Sequence, residues 1–378
     1  MEKYSAFRDG GTGVQPFLPL VPPPPHLLAR LSLPLAWLVG IVRTALVLAL
    51  LTVHIFLVEV LCLILIPIPP LHRLVTHILT ALIARLALLV LGLFLISVDH
   101  VTRKRGRGAK DLGTWRPRAG DIIVSNWVSW VEVLWLAFRF NPIFVLPVPN
   151  TFPSPAVTTQ TSEAISFTPG RRTGTGSANV AAASRAPIPR IPIGGFRQVS
   201  LLSVLRSTGC VPPFGSGPSQ SLDDIRKHAG RPVVVFPECT TSNGRALLHF
   251  ADVFKEKVPV KGYNVFVMCV RYDPPTSFAT TLAHTIPTAR NPLPHVFSAG
   301  ASLAPQAISI RLLDMSESPS SPLFLASEFV SNTSEADPLA EACAALIAQI
   351  GKMKRTKMGW EDKIAFLDFF HTKTTRKY

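Results

Sequence analysis

The sequence predicts an α/β protein: an N-terminal transmembrane helical hairpin followed by an α/β domain. Two observations carry this. Two apolar runs of more than twenty residues lie close together near the N-terminus, and the remainder alternates short apolar strands with helical stretches. Composition agrees. Among 378 residues only 16% are charged and 48% are hydrophobic, which excludes a disordered basic protein despite a formal net charge of +15. Excess positive charge on a charge-poor chain of mean hydropathy +0.33 points to an anionic membrane surface first and nucleic acid second. Five scattered cysteines form no CxxC pair, so neither a disulfide framework nor a zinc site is expected.

The chain divides into a tail (1–34), the hairpin (35–98), a basic linker (99–119), the α/β domain (120–351) and a basic, aromatic C-terminal segment (352–378). The first apolar run, 44–66, contains only His54 and Glu59 as ionisable groups; the second, 74–98, contains His77 and Arg85. Each exceeds the ~20 residues that cross a bilayer's hydrocarbon. The first begins too late and runs too long for a secretory signal peptide. PIPPLHR between them ends one helix and starts the next. Glu59 and Arg85 are candidates for pairing within the hairpin. Lys3, Arg8, Arg30 and Arg43 precede the hairpin, and Arg103, Lys104, Arg105, Arg107 and Lys110 follow it, so the positive-inside rule places both ends in the cytosol. A hairpin dipping into a single leaflet satisfies the same pattern.

In the α/β domain, strands are expected at 121–125 (DIIVS), 143–148 (IFVLPV), 232–236 (PVVVF), 265–271 (VFVMCVR) and 306–312 (QAISIRL). Helices are expected at 129–140, 196–207, 221–229, 245–254 and 337–353. Such alternation argues for a largely parallel, buried sheet. Residues 149–189, rich in Ser, Thr, Ala and Pro, have no hydrophobic period and read as a disordered insertion. Residues 274–304 read as a second, milder loose stretch. The C-terminal segment mixes eight basic residues with Trp360, Phe366, Phe369 and Phe370; it reads equally as an interfacial membrane segment or as a terminal helix packing its aromatics.

The sharpest motif is FPECTTSNGRALLHF at 236–250. A hydrophobic strand ends there at Pro237-Glu238, and Arg245 is expected to open a helix. Ligands of open α/β sheets bind beyond the carboxyl ends of strands, where loops and helix N-termini offer donors. Glu238, Thr240, Thr241, Ser242, Asn243 and Arg245 converge at such a place, and an acid, several hydroxyls and a guanidinium suit a polyol phosphate. The alternative is a loop of this composition that simply caps a helix.

The FPE-x-T-x-S-x-G-R run resembles the third signature block of the PlsC-type glycerolipid acyltransferases. The segment KRTKMGWEDKIAFLDFF at 354–370 is similar to the C-terminal block of the fungal lysophosphatidic acid:oleoyl-CoA acyltransferase group. This resemblance implies a glycerolipid-acyltransferase-like α/β domain that moves a fatty acyl group from acyl-CoA, a co-substrate rather than a bound cofactor, onto a lysophospholipid. It implies no metal, and it implies the endoplasmic reticulum membrane or lipid droplets, with the catalytic domain cytosolic. The family's first block pairs a histidine base with an aspartate that holds its tautomer. Here SNWVSWVE matches on Asn126 and Ser129, but Trp127 stands in the histidine position and Glu132 in that of the aspartate. An indole N–H only donates, so Trp127 cannot take a proton. Glu132, in an apolar surround, can itself serve as the base, with Asn126 and Ser129 marking the reacting centre. His228 and His249 are further candidates. The second block, TGCVPPFG, has no arginine; Cys239, Ala251 and Met268 replace the usual glycine, lysine and proline.

Two readings stay open. One is a membrane-anchored acyltransferase acting on lysophosphatidic acid or a related acceptor. The other is a catalytically inactive relative that binds lipid or a partner at the membrane. Nucleic acid is not an expected partner, because no recognised module accompanies the charge. The charge itself is local. Residues 99–118 carry seven basic against two acidic side chains, 147–200 five against one, and 352–378 eight against three. The partner this predicts is an anionic membrane surface; the sequence does not indicate an oligomeric state.

Overall fold

A computed structural model describes residues 4–102, 115–151, 188–215, 217–322, 324–325, 328 and 337–375. Most of the basic linker and nearly all of the expected insertion lie outside the described residues.

The N-terminal hairpin is built from α1 (Leu27–Leu31), α2 (Leu33–His54) and α3 (Pro69–Val90). Beyond His54 the first arm widens into a π turn (Ile55–Val60) and tightens into a 3₁₀ stretch (Leu61–Leu65). Both arms, Leu33–Leu65 and Pro69–Val90, are long and apolar enough to cross a membrane, with mean hydropathy 2.7 and 1.8. The second arm stops earlier than the sequence suggests. Gly92 adopts φ +90°, a C-terminal stop that only glycine makes cheaply, and Ile96–Val101 then forms β1. Arg85 donates to the carbonyls of Leu93 and Phe94 at this turn, at 3.4 and 2.8 Å. Its guanidinium is thus held by the chain end of α3 rather than by the expected partner Glu59.

Seven strands form the main sheet in the order β1-β8-β7-β2-β5-β3-β4, where β2 is Ile122–Ser125, β3 Ile143–Pro149, β4 Ile193–Val199, β5 Val233–Val235, β7 Val265–Tyr272 and β8 Ile308–Leu313. β7, β2, β5 and β3 run parallel; β8 with β1 runs against them at one edge and β4 at the other. Alternation along each central strand divides the core into two layers. Ile122, Val124, Val233, Val235, Val265 and Val267 face a layer that includes α6 (Leu222–His228) and α8 (Pro338–Gly351). Ile123, Val234, Phe266 and Met268 face the opposite layer, with α4 (Val131–Phe140), α5 (Leu201–Ser207) and α7 (Leu293–Gly300).

The hairpin docks on this second layer. Thr76, Thr80, Ile83, Ala84, Ala87 and Leu88 recur at helical spacing as the buried face of α3, which packs on α4. Leu74, Ile78 and Leu82 face outward and are more than half exposed. α2 packs on α7 through Gly40: a Cβ there would stand 3.0 Å from Ala301 Cβ and 3.1 Å from the Phe297 ring. Arg43 fixes the contact by donating to the carbonyls of Gly300 and Ser302, at 3.1 and 2.8 Å.

Several expected elements are corrected. The helix expected over 196–207 begins only at Leu201, after a Ser200 cap, because Ile193–Val199 is an edge strand running through Gly194 and Gly195. No helix follows Arg245. Ala246, Leu247, Leu248 and Phe250 are all buried, and Leu247 and Leu248 enter different cores. Successive residues facing opposite sides require an extended chain. Ala246–Leu247 accordingly forms β6, paired in parallel with β9 (Lys354–Arg355). The stretch 274–304 is not loose throughout, since it contains α7 and buries Leu282, Ala283 and His284. Finally, α9 (Trp360–Thr375) buries Trp360 and Phe366 and sets Phe366, Phe369 and Phe370 against Tyr4. For these aromatics, packing replaces the interfacial membrane reading.

The tight fit at Gly40 gives a direct test of docking. Gly40→Leu overpacks the α2–α7 contact and is expected to lower the stability of the detergent-solubilised protein by ~1–3 kcal/mol in thermal unfolding, with Gly40→Ala costing less.

Candidate functional site

The parallel strands β2, β5 and β7 end on one side of the sheet, and the chain segments that follow them meet there. After β2, Asn126 acts as a backbone surrogate: its side-chain oxygen accepts from Val270 N at 2.7 Å and its amide donates to Val270 O at 2.9 Å. The turn it anchors, 127–129, presents three successive N–H groups inward, and two buried carboxylates take them. Trp127 N donates to Glu238 at 2.7 Å, and Val128 N and Ser129 N donate to one oxygen of Glu132 at 2.5 and 2.6 Å. The second oxygen of Glu238 accepts from Leu248 N at 2.8 Å, and that of Glu132 accepts a short hydrogen bond from the Tyr272 hydroxyl.

Electrostatics follow from burial. Glu132, Glu238 and Trp127 are fully buried. Desolvation pushes the Glu132 carboxyl up to about 7, against the opposing pull of Tyr272 and the backbone donors. Glu238 rises to about 8 by desolvation, the Trp127 and Leu248 N–H groups opposing and the neighbouring Glu132 adding to it. The Tyr272 phenol is pushed well above its ordinary value by burial and by Glu132.

A third ionisable group arrives from far along the chain. Lys363, on α9, is fully buried and donates to Thr240 Oγ1, Thr241 O and Thr241 Oγ1 at 2.9, 2.8 and 3.2 Å. Burial pulls its ammonium down to about 7. Composition hides this residue in a basic tail, yet Trp360, Lys363, Phe366 and Leu367 share one helical face. A lysine on an otherwise apolar stripe is the sequence signal that identifies it.

Two histidines lie beside the turn, and neither is one of the expected candidates. His284 N donates to Val128 O at 2.9 Å. Its Nε2 meets Asn291 Oδ1 at 2.5 Å, while the Asn291 amide donates to the carbonyls of Arg206 and Thr208. That pattern fixes the Asn291 oxygen as acceptor and places the His284 proton on Nε2. His295 Nδ1 faces the Trp130 indole N–H at 2.9 Å, so it accepts, and Nε2 donates to Thr281 O at 3.1 Å. Burial lowers both, to about 4 and about 3, and keeps them neutral. His228 sits at the exposed end of α6, and His249 is tied through its backbone N–H to Met358 O; neither hydrogen-bonds to Glu132.

The residues expected to bind a head group are mostly turned inward. Thr240 donates to Cys210 O and Thr241 to His284 O, both at 2.6 Å, and Ser242 Oγ accepts from Gly244 N. Asn243 is spent on the N-terminal segment: its amide donates to Gln15 O and Leu18 O, and its backbone N–H to Pro16 O. Of the six, Arg245 alone is exposed. Ser129 is buried and its Oγ receives a long 3.4 Å contact from Val131 N. Cys239 takes φ +57° at the motif's glycine position, and burial raises its thiol well above the ordinary range, which removes it as a nucleophile.

Trp127 fills the centre. Its ring stacks on Phe236 at 4.9 Å and 19°, with Phe214 beyond, and its indole N–H is buried with no acceptor among the described residues. Among the described residues no group of His, Cys, Asp or Glu is arranged to hold a metal ion. Comparisons with family models, curated proteins and solved structures return no match.

The buried lysine makes stability depend on pH in a defined direction. Its folded value near 7 lies below the unfolded value near 10.5, so the native state binds fewer protons between them and Lys363 makes stability rise from pH 7 to 10. Glu132 and Glu238 act oppositely, lowering stability as pH rises from about 4.5 to about 8. Urea unfolding of Lys363→Met is expected to lack the alkaline increase that the wild type shows.

Proposed function

We propose that this chain is a membrane-bound, acyl-CoA-dependent acyltransferase that moves a fatty acyl group onto the free hydroxyl of lysophosphatidic acid or a related lysophospholipid. The observation that carries the reading is the cluster at the carboxyl ends of β2, β5 and β7. Three fully buried ionisable groups there, Glu132, Glu238 and Lys363, are each driven toward neutral pH, and the first two hold the turn that starts at Trp127. Perturbed groups at the ligand-binding edge of a parallel sheet are what proton-transfer chemistry at neutral pH requires. The resemblance of 236–245 to the acyltransferase block supplies the substrate class.

In this reading the acceptor oxygen attacks the thioester carbonyl carbon. Its proton passes to Tyr272 Oη as the tyrosine gives its own to Glu132. The Trp127 indole N–H donates to the oxyanion, and the C–S bond then breaks. The proton returns through Tyr272 to the departing thiolate, which leaves atoms and charge balanced. Glu238 is a positioning residue that sets the Trp127 turn, Asn126 and Ser129 hold the same turn, and Arg245 is the exposed cation left for the acceptor phosphate. Lys363 organises Thr240 and Thr241 from below. Because these groups are buried, substrate entry requires the segments that cover them to move. The apolar hairpin keeps the site at the bilayer of the endoplasmic reticulum or a lipid droplet, with the α/β domain on the cytosolic side. Acyl-CoA is a co-substrate, and nucleic acid has no part.

A second reading, a catalytically inactive relative that binds lipid or a partner at the membrane, is favoured by one observation: Trp127 occupies the motif's base position and is completely buried against Phe236.

Transfer of radiolabelled oleate from its CoA ester to lysophosphatidic acid, by the purified full chain in mixed micelles, separates the two. The enzyme reading expects activity that rises with pH through about 7, as Glu132 loses its proton, and that falls at least ~100-fold in Glu132→Gln and Tyr272→Phe. Folded wild-type protein that transfers nothing, while Trp127→His gains transfer, establishes the inactive reading instead.

A further inference from the structure

A cavity of about 500 Å³ lies away from the Glu132 centre, where the end of the hairpin meets β1 and the C-terminal end of α4. Its lining includes Arg85, Phe94, Leu95, Trp115, Phe138 and Arg139. Phe and Trp supply five of its twelve lining residues, and the described lining contains two arginines and His100 but no carboxylate. Arg85 uses two of its guanidinium nitrogens on chain carbonyls and stands 5.8 Å over the Phe138 ring. Arg139 lies 6.0 Å over Phe140 and is exposed. A guanidinium carries five N–H donors, so both retain donors for an anion. Trp115 is 6% exposed, and its indole N–H is buried with no acceptor among the described residues. Trp115 thus forms an apolar wall, and the donors that face an incoming anion are those of the two arginines.

The mouth of the cavity indicates where the ligand comes from. Phe94 and Leu95 are 56% and 86% exposed and continue the apolar outer surface of α2 and α3 directly into the cavity wall. A ligand crossing that rim moves from an apolar surface to a lining that carries two arginines, which is the polarity profile of a lipid at the membrane boundary. A volume of about 500 Å³ is that of a small-ligand pocket.

We propose that this cavity is a binding site for an anionic lipid, its acyl chain lying against Phe94, Leu95 and Phe138 and its phosphate held by Arg85 and Arg139. The site is separate from the Glu132 centre and does not depend on the catalytic reading, because occupancy is read without acyl transfer. Both a resident anionic phospholipid and an arriving lysophosphatidic acid share this chemistry, and competition distinguishes them.

The test is photolabelling of the full chain in phosphatidylcholine liposomes doped with diazirine-chain phosphatidic acid or diazirine-chain phosphatidylcholine, with the labelled peptides mapped by mass spectrometry. The expected result is labelling of the peptides bearing Trp115 and Phe138, roughly fivefold or more in favour of the phosphatidic acid. Val98→Trp, which fills the cavity from β1, is expected to cut that labelling roughly tenfold. Arg139→Gln, an exposed change that leaves the fold intact, is expected to reduce the preference for the anionic probe several-fold. Unlabelled lysophosphatidic acid that competes better than phosphatidic acid marks the site as an acceptor entry; the reverse marks a resident lipid. Equal labelling by the two probes, or a preference unchanged in Arg139→Gln, overturns the proposal.

Discussion

The Glu238 carboxylate is the constraint around which the rest of the site is arranged. One oxygen takes the N–H of Trp127 and the other that of Leu248, so a single buried side chain ties the turn after β2 to the segment that becomes β6. Such hydrogen bonds are worth roughly 0.5–1.5 kcal/mol each, and an orphaned buried N–H costs roughly 1–3 kcal/mol. No apolar residue can replace Glu238 without leaving both donors unpaired. The same carboxylate explains why the polar loop 240–243 faces inward. With β5 and β6 fixed from one point, the intervening chain has to curl over the sheet edge, and its hydroxyls and amide are spent on carbonyls within reach.

The C-terminal block completes this arrangement from a distance. β9 pairs with β6, Thr356 caps Leu247 O, and Arg190 bridges Glu361 and Asp362 at 2.9 and 3.1 Å. Those contacts hold the start of α9 where Lys363 can reach Thr240 and Thr241. A buried ammonium is costly, which is why burial lowers it to about 7, and three oxygen acceptors offset part of that cost. The two sequence blocks that carry the acyltransferase resemblance are therefore one structural unit. The second supplies the strand that pairs with β6 and the cation that holds Thr240 and Thr241.

Much of the architecture was legible because burial writes directly into sequence. The central strands are continuous apolar runs, as a sheet covered on both faces requires, and the hairpin arms are too apolar for anything but a lipid or protein surround. What escaped has a physical cause in each case. β1 was hidden because its Ile96 and Val98 extend the second apolar run past Gly92. β4 was hidden because Gly194 and Gly195 weaken its strand character at a sheet edge. The helix expected after Arg245 failed because periodicity cannot identify a short segment buried on both sides. In the site, Glu132, Asn126 and Glu238 were found as residues meeting at one place, but their hydrogen-bond partners were not. Tyr272, His284 and Lys363 lie 34 to 231 residues away from Glu238 or Glu132 in the chain; no local pattern announces Tyr272 or His284, and Lys363 is marked only by its place on an apolar helical stripe. The left-handed backbone at Cys239 was indicated only by the glycine that the motif usually carries there.

The helix α4 gives the two halves of the molecule a common part. Its N-terminal turn carries Glu132, locked to the Val128 and Ser129 N–H groups, and its C-terminal turn supplies Phe138 and Arg139 to the cavity beside the hairpin. Its outer side receives the buried face of α3. Ten residues at 1.5 Å each place these features within ~15 Å along one rigid rod. A displacement of the hairpin is therefore transmitted to α4 through the packed face of α3. It has to be borne by α4 itself or by the contacts at its ends, of which Tyr272–Glu132 is one. Close packing makes such contacts resist continuous deformation. Docking of the hairpin and geometry of the buried centre are consequently coupled through this helix, which touches both.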